Sequence, residues 1–125
     1  MTTYSTSEIG SFIYNMISSI PEGISELLIN GFIPEQSLIE VENYTGDDIS
    51  IAAIPATYQP SIINLSISQV LGQMEAQGMG TKSVKIGELS INKGMVEGTS
   101  QNYKQMAYKQ LENLPKNSNY YQTYG

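Results

Sequence analysis

Apolar side chains recur along this chain at three- and four-residue spacing, interrupted once by a stretch that alternates every second residue. The first run is the clearest: Ile9, Phe12, Ile13, Met16, Ile17 and Ile20. It follows Ser5-Thr6-Ser7-Glu8, in which Ser5 can cap a helix while Glu8 reaches back to the cap backbone. This predicts a helix over 6–20, stopped by Pro21, which can itself open a second helix at its first position. Ile24, Leu27 and Leu28 give that second helix its buried side, and Asn30-Gly31 closes it. Pro34 begins a third helix, with Leu38, Val41 and Tyr44 inward and Gly46 as its cap.

The segment from Asp47 to Tyr58 reads two ways. Ile49, Ile51 and Ala53 alternate as in a strand, whereas Asp47-Asp48 can equally cap a helical turn. Pro55 and Pro60 restrict its far end, and it is assigned as an extended connection. Beyond it lies the stretch around which the rest is organised, Pro60 to Leu111. Ile63, Ile67, Val70, Leu71 and Met74 share one helical face, and Gln77-Gly78-Met79-Gly80 ends that helix. The alternating stretch follows as KSVKIGELSI, residues 82–91, with Val84, Ile86, Leu89 and Ile91 on either side of Gly87-Glu88. Two short strands about a tight turn are predicted there. A last helix places Tyr103, Met106, Ala107, Gln110, Leu111 and Leu114 on one face before Pro115 breaks the period.

The expected fold is therefore mainly α: a small helical bundle with a β-hairpin or extended arm between the last two helices and an extended C-terminal tail. Residues 1–115 form a single helical domain with its arm at 82–93, and 116–125 form the tail. Phe12, Ile13, Met16, Ile63, Ile67, Leu71, Met106 and Leu111 are the expected core. No linker divides the chain and no internal repeat appears. The tail contains no aliphatic side chain and three tyrosines, so it has no core of its own.

Charge changes this picture more by its distribution than by its total of −6. All six lysines lie at or after Lys82, and arginine is absent. Residues 1–81 carry nine carboxylates and no base, a net of −9; residues 82–125 carry six lysines and three glutamates, a net of +3. Acidic and basic faces of neighbouring copies can attract, which is compatible with head-to-tail self-assembly; such asymmetry more often reflects a solvated face. The N-terminus has neither a basic region nor an apolar run of signal length, and no stretch approaches the ~20 apolar residues of a membrane span. The chain is expected to be soluble when made, with no membrane partner.

The inventory of reactive groups is thin. Without histidine or cysteine, nucleophile–base pairs and nitrogen or sulfur metal sites are missing, so no catalytic residue, metal or cofactor is assigned. Asp47-Asp48 and Glu40/Glu42 are the remaining carboxylate pairs. The first is better explained by capping or turn chemistry, and the second lies two apart on a helix, where side chains do not face each other. Gly78-Met79-Gly80-Thr81-Lys82 lacks phosphate-loop spacing and follows a helix. Lys82, Lys85 and Lys93 can touch phosphates, but sparse lysine and no arginine argue against specific nucleic-acid recognition.

An interaction protein remains. A hairpin with two apolar residues per strand is not stable alone in water and needs its own domain or another chain to pack on. Tyrosines in the tail offer large contact area at low entropic cost. The expected contacts are Val84, Ile86, Leu89 and Ile91 on the arm, with Gly87 at a positive-φ turn position. The expected tail contacts are Tyr120, Tyr121 and Tyr124 as anchors, with Asn117, Asn119 and Gln122 as backbone partners. The alternatives are an arm folded onto its own subunit and a tail that only solubilises.

Two runs carry a family resemblance. ENYTGDDI, residues 42–49, resembles the helix end and turn of head–tail connector adaptor proteins of long-tailed bacteriophages, and a proline-initiated helix follows in both. SVKIGELS, residues 83–90, is similar to that family's arm, and YKQMAYKQL, residues 103–111, to its last helix. The order of elements matches over about residues 24–114. The long first helix, and the lack of arginine and tryptophan, depart from many members. The resemblance implies a virion structural protein without catalysis. It would be a homo-oligomeric ring matched to the portal's twelve-fold symmetry, placed between the portal protein and a stopper or tail-completion protein. DNA would pass through its lumen without specific binding, and the tail would insert toward the portal. The other readings are a tail-completion or neck protein and, in a different class, a small soluble regulatory protein.

Overall fold

Among the described residues three helices pack around the third in sequence, whose middle has no exposed residue. The computed structural model describes residues 3–18, 28–76, 84–86, 89–91 and 96–113. Helix α1 spans Thr6–Met16 and leads into a short strand β1 at Ile17–Ser18. A π-helical turn at Leu28–Phe32 runs into α2, Ile33–Thr45; then come α3, Gln59–Ala76, strands β2 (Val84–Ile86) and β3 (Leu89–Ile91), and α4, Val96–Glu112. The described part is mainly helical.

The start of α1 forms as the sequence dictates. Ser5 Oγ accepts the backbone N–H of Glu8, and a Glu8 carboxylate oxygen accepts the Ser5 N–H, so two orphan donors of the first turn are satisfied. Ile9, Ile13 and Ile17 are buried on its inner side. The helix stops at Met16, short of the predicted end at residue 20. β-Branched Ile17 and the serine after it favour extended backbone, and β2 offers them a ladder to join. Phe12 was expected in the core and is 56% exposed; it lies to the side of the Ile9–Ile13 stripe and nothing described covers it.

The second predicted helix mostly lies outside the described residues. Its expected close at Asn30-Gly31 is overturned. The chain passes through both residues as a π-helical turn without a break, and Ile29 is fully buried there. Pro34 sits in the first turn of α2, where its missing N–H costs nothing. Leu38 and Val41 point inward as expected. Tyr44 does not: it is 45% exposed and rests on Tyr108 of α4. Gly46 caps the helix in the left-handed conformation at φ 78°, its N–H bonded to Glu42 O at 2.8 Å. In the connection that follows, no strand forms over 49–53. Ile49 and Ile54 are buried, while Ile51 and Ala53 are exposed, and one antiparallel bridge joins Ile54 to Tyr4.

No residue from Ser61 to Gly72 is exposed. Ile67, Val70 and Leu71 are buried as the periodicity requires, but so are Ile62 and Leu65 on other sides of α3. Ile63 is half-buried. The contact with α4 is the most extensive in the fold and is built on small residues. Ser61 Oγ donates to Ala107 O at 3.2 Å, and Ser100 Oγ donates to Ser68 O at 2.8 Å. Ser61 and Ser68 are seven apart, as are Ser100 and Ala107, so the two helices run antiparallel and meet twice over serine or alanine. At these two points the contact is made by small residues, which favours a close approach of the axes. Asn64 Nδ2 donates to Gln110 Oε1 along the same seam at 2.9 Å. On the α2 side, both Ser66 Oγ and Gln69 Nε2 donate to Ser37 Oγ at 3.0 Å. Ala107 and Leu111 complete the core from α4, whereas Met106, expected inside, is 47% exposed. One step round the helix from Ala107 turns it away from α3.

Candidate functional site

The arm is described as backbone. β2 and β3 pair antiparallel with Val84 opposite Ile91, Lys85 opposite Ser90 and Ile86 opposite Leu89. β1 adds a third strand on the other side of β2, Ile17 opposite Ile86 and Ser18 opposite Lys85. The register aligns apolar positions with apolar positions across all three strands, and β3 is an edge. Gly87, whose turn role was expected, lies outside the described residues. So do the tail positions Asn117, Asn119, Tyr120, Tyr121, Gln122 and Tyr124.

The carboxylates singled out in the sequence are occupied locally. Asp47 accepts a hydrogen bond from the Tyr58 hydroxyl, and its backbone N–H bonds to Thr45 Oγ1 at 3.2 Å. Thr45 in turn donates to Val41 O at 2.9 Å. Asp47 thus ties the turn after α2 to Tyr58, just before α3. Glu40 and Glu42 serve separate partners: Glu40 accepts from the Tyr108 hydroxyl, and Glu42 accepts the Ile49 N–H at 2.8 Å. Among the described residues no group of three or more acidic side chains is placed to hold a metal ion.

Two surface features were not anticipated. The first joins α2 to α4. The Tyr44 and Tyr108 rings lie with centroids 5.1 Å apart, tilted by 52°. Tyr108, with Gln101, Lys104, Gln105, Lys109 and Glu112, lines a shallow groove on α4. Burial first, then the hydrogen bond and the negative charge of Glu40, push the Tyr108 phenol up to about 12. Tyr58 is pushed up to about 12 in the same way, by burial and by Asp47. Burial alone raises Tyr103. Tyr58 and Tyr108 stay protonated at neutral pH and act as donors that tie elements together. A signal for the Tyr108 pairing was present in the sequence: Glu40 and Tyr44 are four apart, so one aromatic ring can reach both.

The second feature is a groove along the first two turns of α1, lined by Tyr4, Ser7, Glu8, Ile9, Ser11 and Phe12. It is more apolar than polar. Tyr4 stands at one end, fixed by the paired backbone bonds Tyr4 N to Ile54 O at 3.3 Å and Ile54 N to Tyr4 O at 2.7 Å. Phe12 stands at the other. The sequence marked Phe12 as apolar on a helix, but only the packing shows that the bundle leaves it outside.

No helix among the described residues is long and apolar enough to cross a membrane. No family model matches this chain, and neither the curated proteins nor the solved structures contain a match.

Proposed function

We propose that this protein is a virion structural component, a head–tail connector adaptor that forms a ring beneath the portal and docks the stopper or tail. The observation that carries this reading is the order of elements. A helical body ends in two long antiparallel helices, α3 and α4, with a paired extended segment between them in sequence. That order accompanies the motifs at residues 42–49 and 83–90. In this reading residues 82–93 are a hairpin arm that meets a neighbouring copy. β1 pairs with one edge of β2, and the edge of β3, open among the described residues, can take a strand from a neighbour through backbone hydrogen bonds. Residues 116–125 insert toward the portal, with Tyr120, Tyr121 and Tyr124 as the dominant anchors.

The charge balance supports a DNA conduit. A lumen that is neutral or negative does not hold phosphates, so the genome can pass without sticking; a strongly basic wall would retain it. No catalytic step is part of this role.

Electron microscopy of the purified protein, alone and with portal, tests the proposal. Rings of portal-matched symmetry are expected, and a specific label should mark the neck of assembled particles. A species that stays monomeric or dimeric with portal present would favour a soluble regulator. Label at the tail tube with no portal contact would favour a tail-completion protein.

A further inference from the structure

The groove on α1 is an aromatic surface without a described cover. Phe12 on α1 is 56% exposed and Tyr4, just before the helix, is 38% exposed, whereas Ile9 and Ile13 of the same helix are buried. Exposed aromatic groups paired in a groove favour a partner that brings further rings. The fold also decides which part of the chain is within reach. Ser61 sits level with Ala107 and Ser68 with Ser100, so the end of α4 lies beside the start of α3. The start of α3 is tied to Ile54 by the Gln59 Nε2 to Ile54 O bond at 2.9 Å, and Ile54 is bridged to Tyr4. Asn113 therefore leaves α4 at the same end of the bundle where the groove begins.

From that point the twelve residues 114–125 continue the chain. Extended, they reach about 40 Å. α1 and α4 both pack against α3, so the gap is about two interhelical spacings plus the radius of α1, roughly 25 Å. About six to eight extended residues span that distance, so Tyr120, Tyr121 and Tyr124 are within reach of Tyr4 and Phe12. The segment carries Lys116 and no acidic residue, while the groove carries Glu8 and no base. We infer that residues 114–125 dock in cis, with the Tyr120–Tyr124 segment seated in the α1 groove between Tyr4 and Phe12. The inference builds on the adaptor reading in one respect only: there, the cis-docked tail is the stored form of the segment that is later handed to the portal.

The absence of cysteine makes the test clean. Ser11→Cys and Thr123→Cys are introduced together in the isolated, full-length protein. Ser11 lines the groove and is exposed, and Thr123 lies between the tyrosines, so the ring contacts survive. Under mild oxidation an intramolecular disulfide should form. It should form at least tenfold more slowly when Tyr120, Tyr121 and Tyr124 are all changed to Ser, or when Phe12→Ala is added. These two variants keep the same reach and alter opposite sides of the contact. Circular dichroism confirms that each retains its helices. Equal rates in all three proteins would mean a tail that merely sweeps past and would overturn the inference. So would no disulfide, or a product that is mainly a disulfide-linked dimer, which would put the tail on a neighbouring copy. The measurement involves no portal and no ring, so its failure leaves the adaptor proposal standing. Failure of ring formation likewise leaves the disulfide result interpretable.

Discussion

Ala107→Leu probes the closest part of the fold. Ala107 is fully buried where α4 meets Ser61 of α3, and its carbonyl accepts the Ser61 hydroxyl at 3.2 Å. Leucine is nearly as good a helix former as alanine, so intrinsic propensity contributes little. The effect comes from volume. Three extra carbons have no space unless the helices separate, and overpacking of this kind costs about 1–3 kcal/mol. Separation also stretches the Ser61 bond, and a buried hydroxyl left without its acceptor adds about 1 kcal/mol. The sum is about 2–4 kcal/mol. For a domain of this size each kcal/mol moves the melting point by roughly 3–5 °C, so a drop of about 6–20 °C is expected. Thermal unfolding followed by circular dichroism at 222 nm reads it directly. Met106→Leu is the internal control: it lies one position earlier, is half exposed, and should shift the midpoint by less than about 2 °C. A loss at Ala107 as small as that at Met106 would refute the close α3–α4 contact.

Three further outcomes follow from the same structure. Leu71→Ala removes a fully buried side chain from α3 and should cost about 2–5 kcal/mol in a denaturant melt; a cost below about half a kcal/mol would place that face at the surface. Gly46→Ala meets no atom within 4 Å but holds φ at 78°, so its cost should be the backbone term alone, about 1–2 kcal/mol, and Gly46→Asn should recover part of it. Tyr58 and Tyr108 ionise near 10 when unfolded and near 12 when folded, so their contribution is intact below pH 10 and lost as the pH rises towards 12. Urea midpoints should fall over that window, and the combined Tyr58→Phe and Tyr108→Phe protein should show a shallower fall; parallel curves would remove the carboxylate pairing as the cause.

What the sequence made legible was local. The capping box at Ser5 and Glu8, the proline in the first turn of α2 and the glycine cap at Gly46 are each decided by a few adjacent residues. What it hid depended on neighbours far along the chain. The end of α1 at Met16 reflects a strand nearly seventy residues away that takes up Ile17 and Ser18. Phe12 and Met106 have the right spacing for a core, but spacing names a face without saying how wide the covering surface is. α3 shows the opposite error. The apolar stripe of Ile63, Ile67, Val70, Leu71 and Met74 names one face and says nothing of Ser61, Ser66 and Ser68, which are buried as well. Those serines are buried because each finds a hydrogen-bond partner on α2 or α4, which makes a polar residue as good an interior residue as an apolar one.

The burial of α3 also bears on where a partner can attach. A helix with no exposed residue from Ser61 to Gly72 contributes little to an outer surface, so contacts with other molecules fall mainly to the elements around it. Among these, the outward side of α2 offers Phe32 and Ile39, seven apart and both exposed, α1 offers Phe12, and α4 offers the Tyr108 groove. The serine bonds that hold α3 in place leave these surfaces on a rigid frame. An assembly subunit benefits from that arrangement, because a rigid body sets the angle between copies while short segments on its outside make the contact. In such a division of labour, substitutions on α3 should change stability without changing the geometry of any ring that still forms. Substitutions at Gly87 or the β3 edge should do the reverse. Gly87→Val should therefore leave the helical circular dichroism of the parent intact while reducing ring yield. A Gly87→Val protein that forms normal rings would show that the neighbour contact lies on the helices instead.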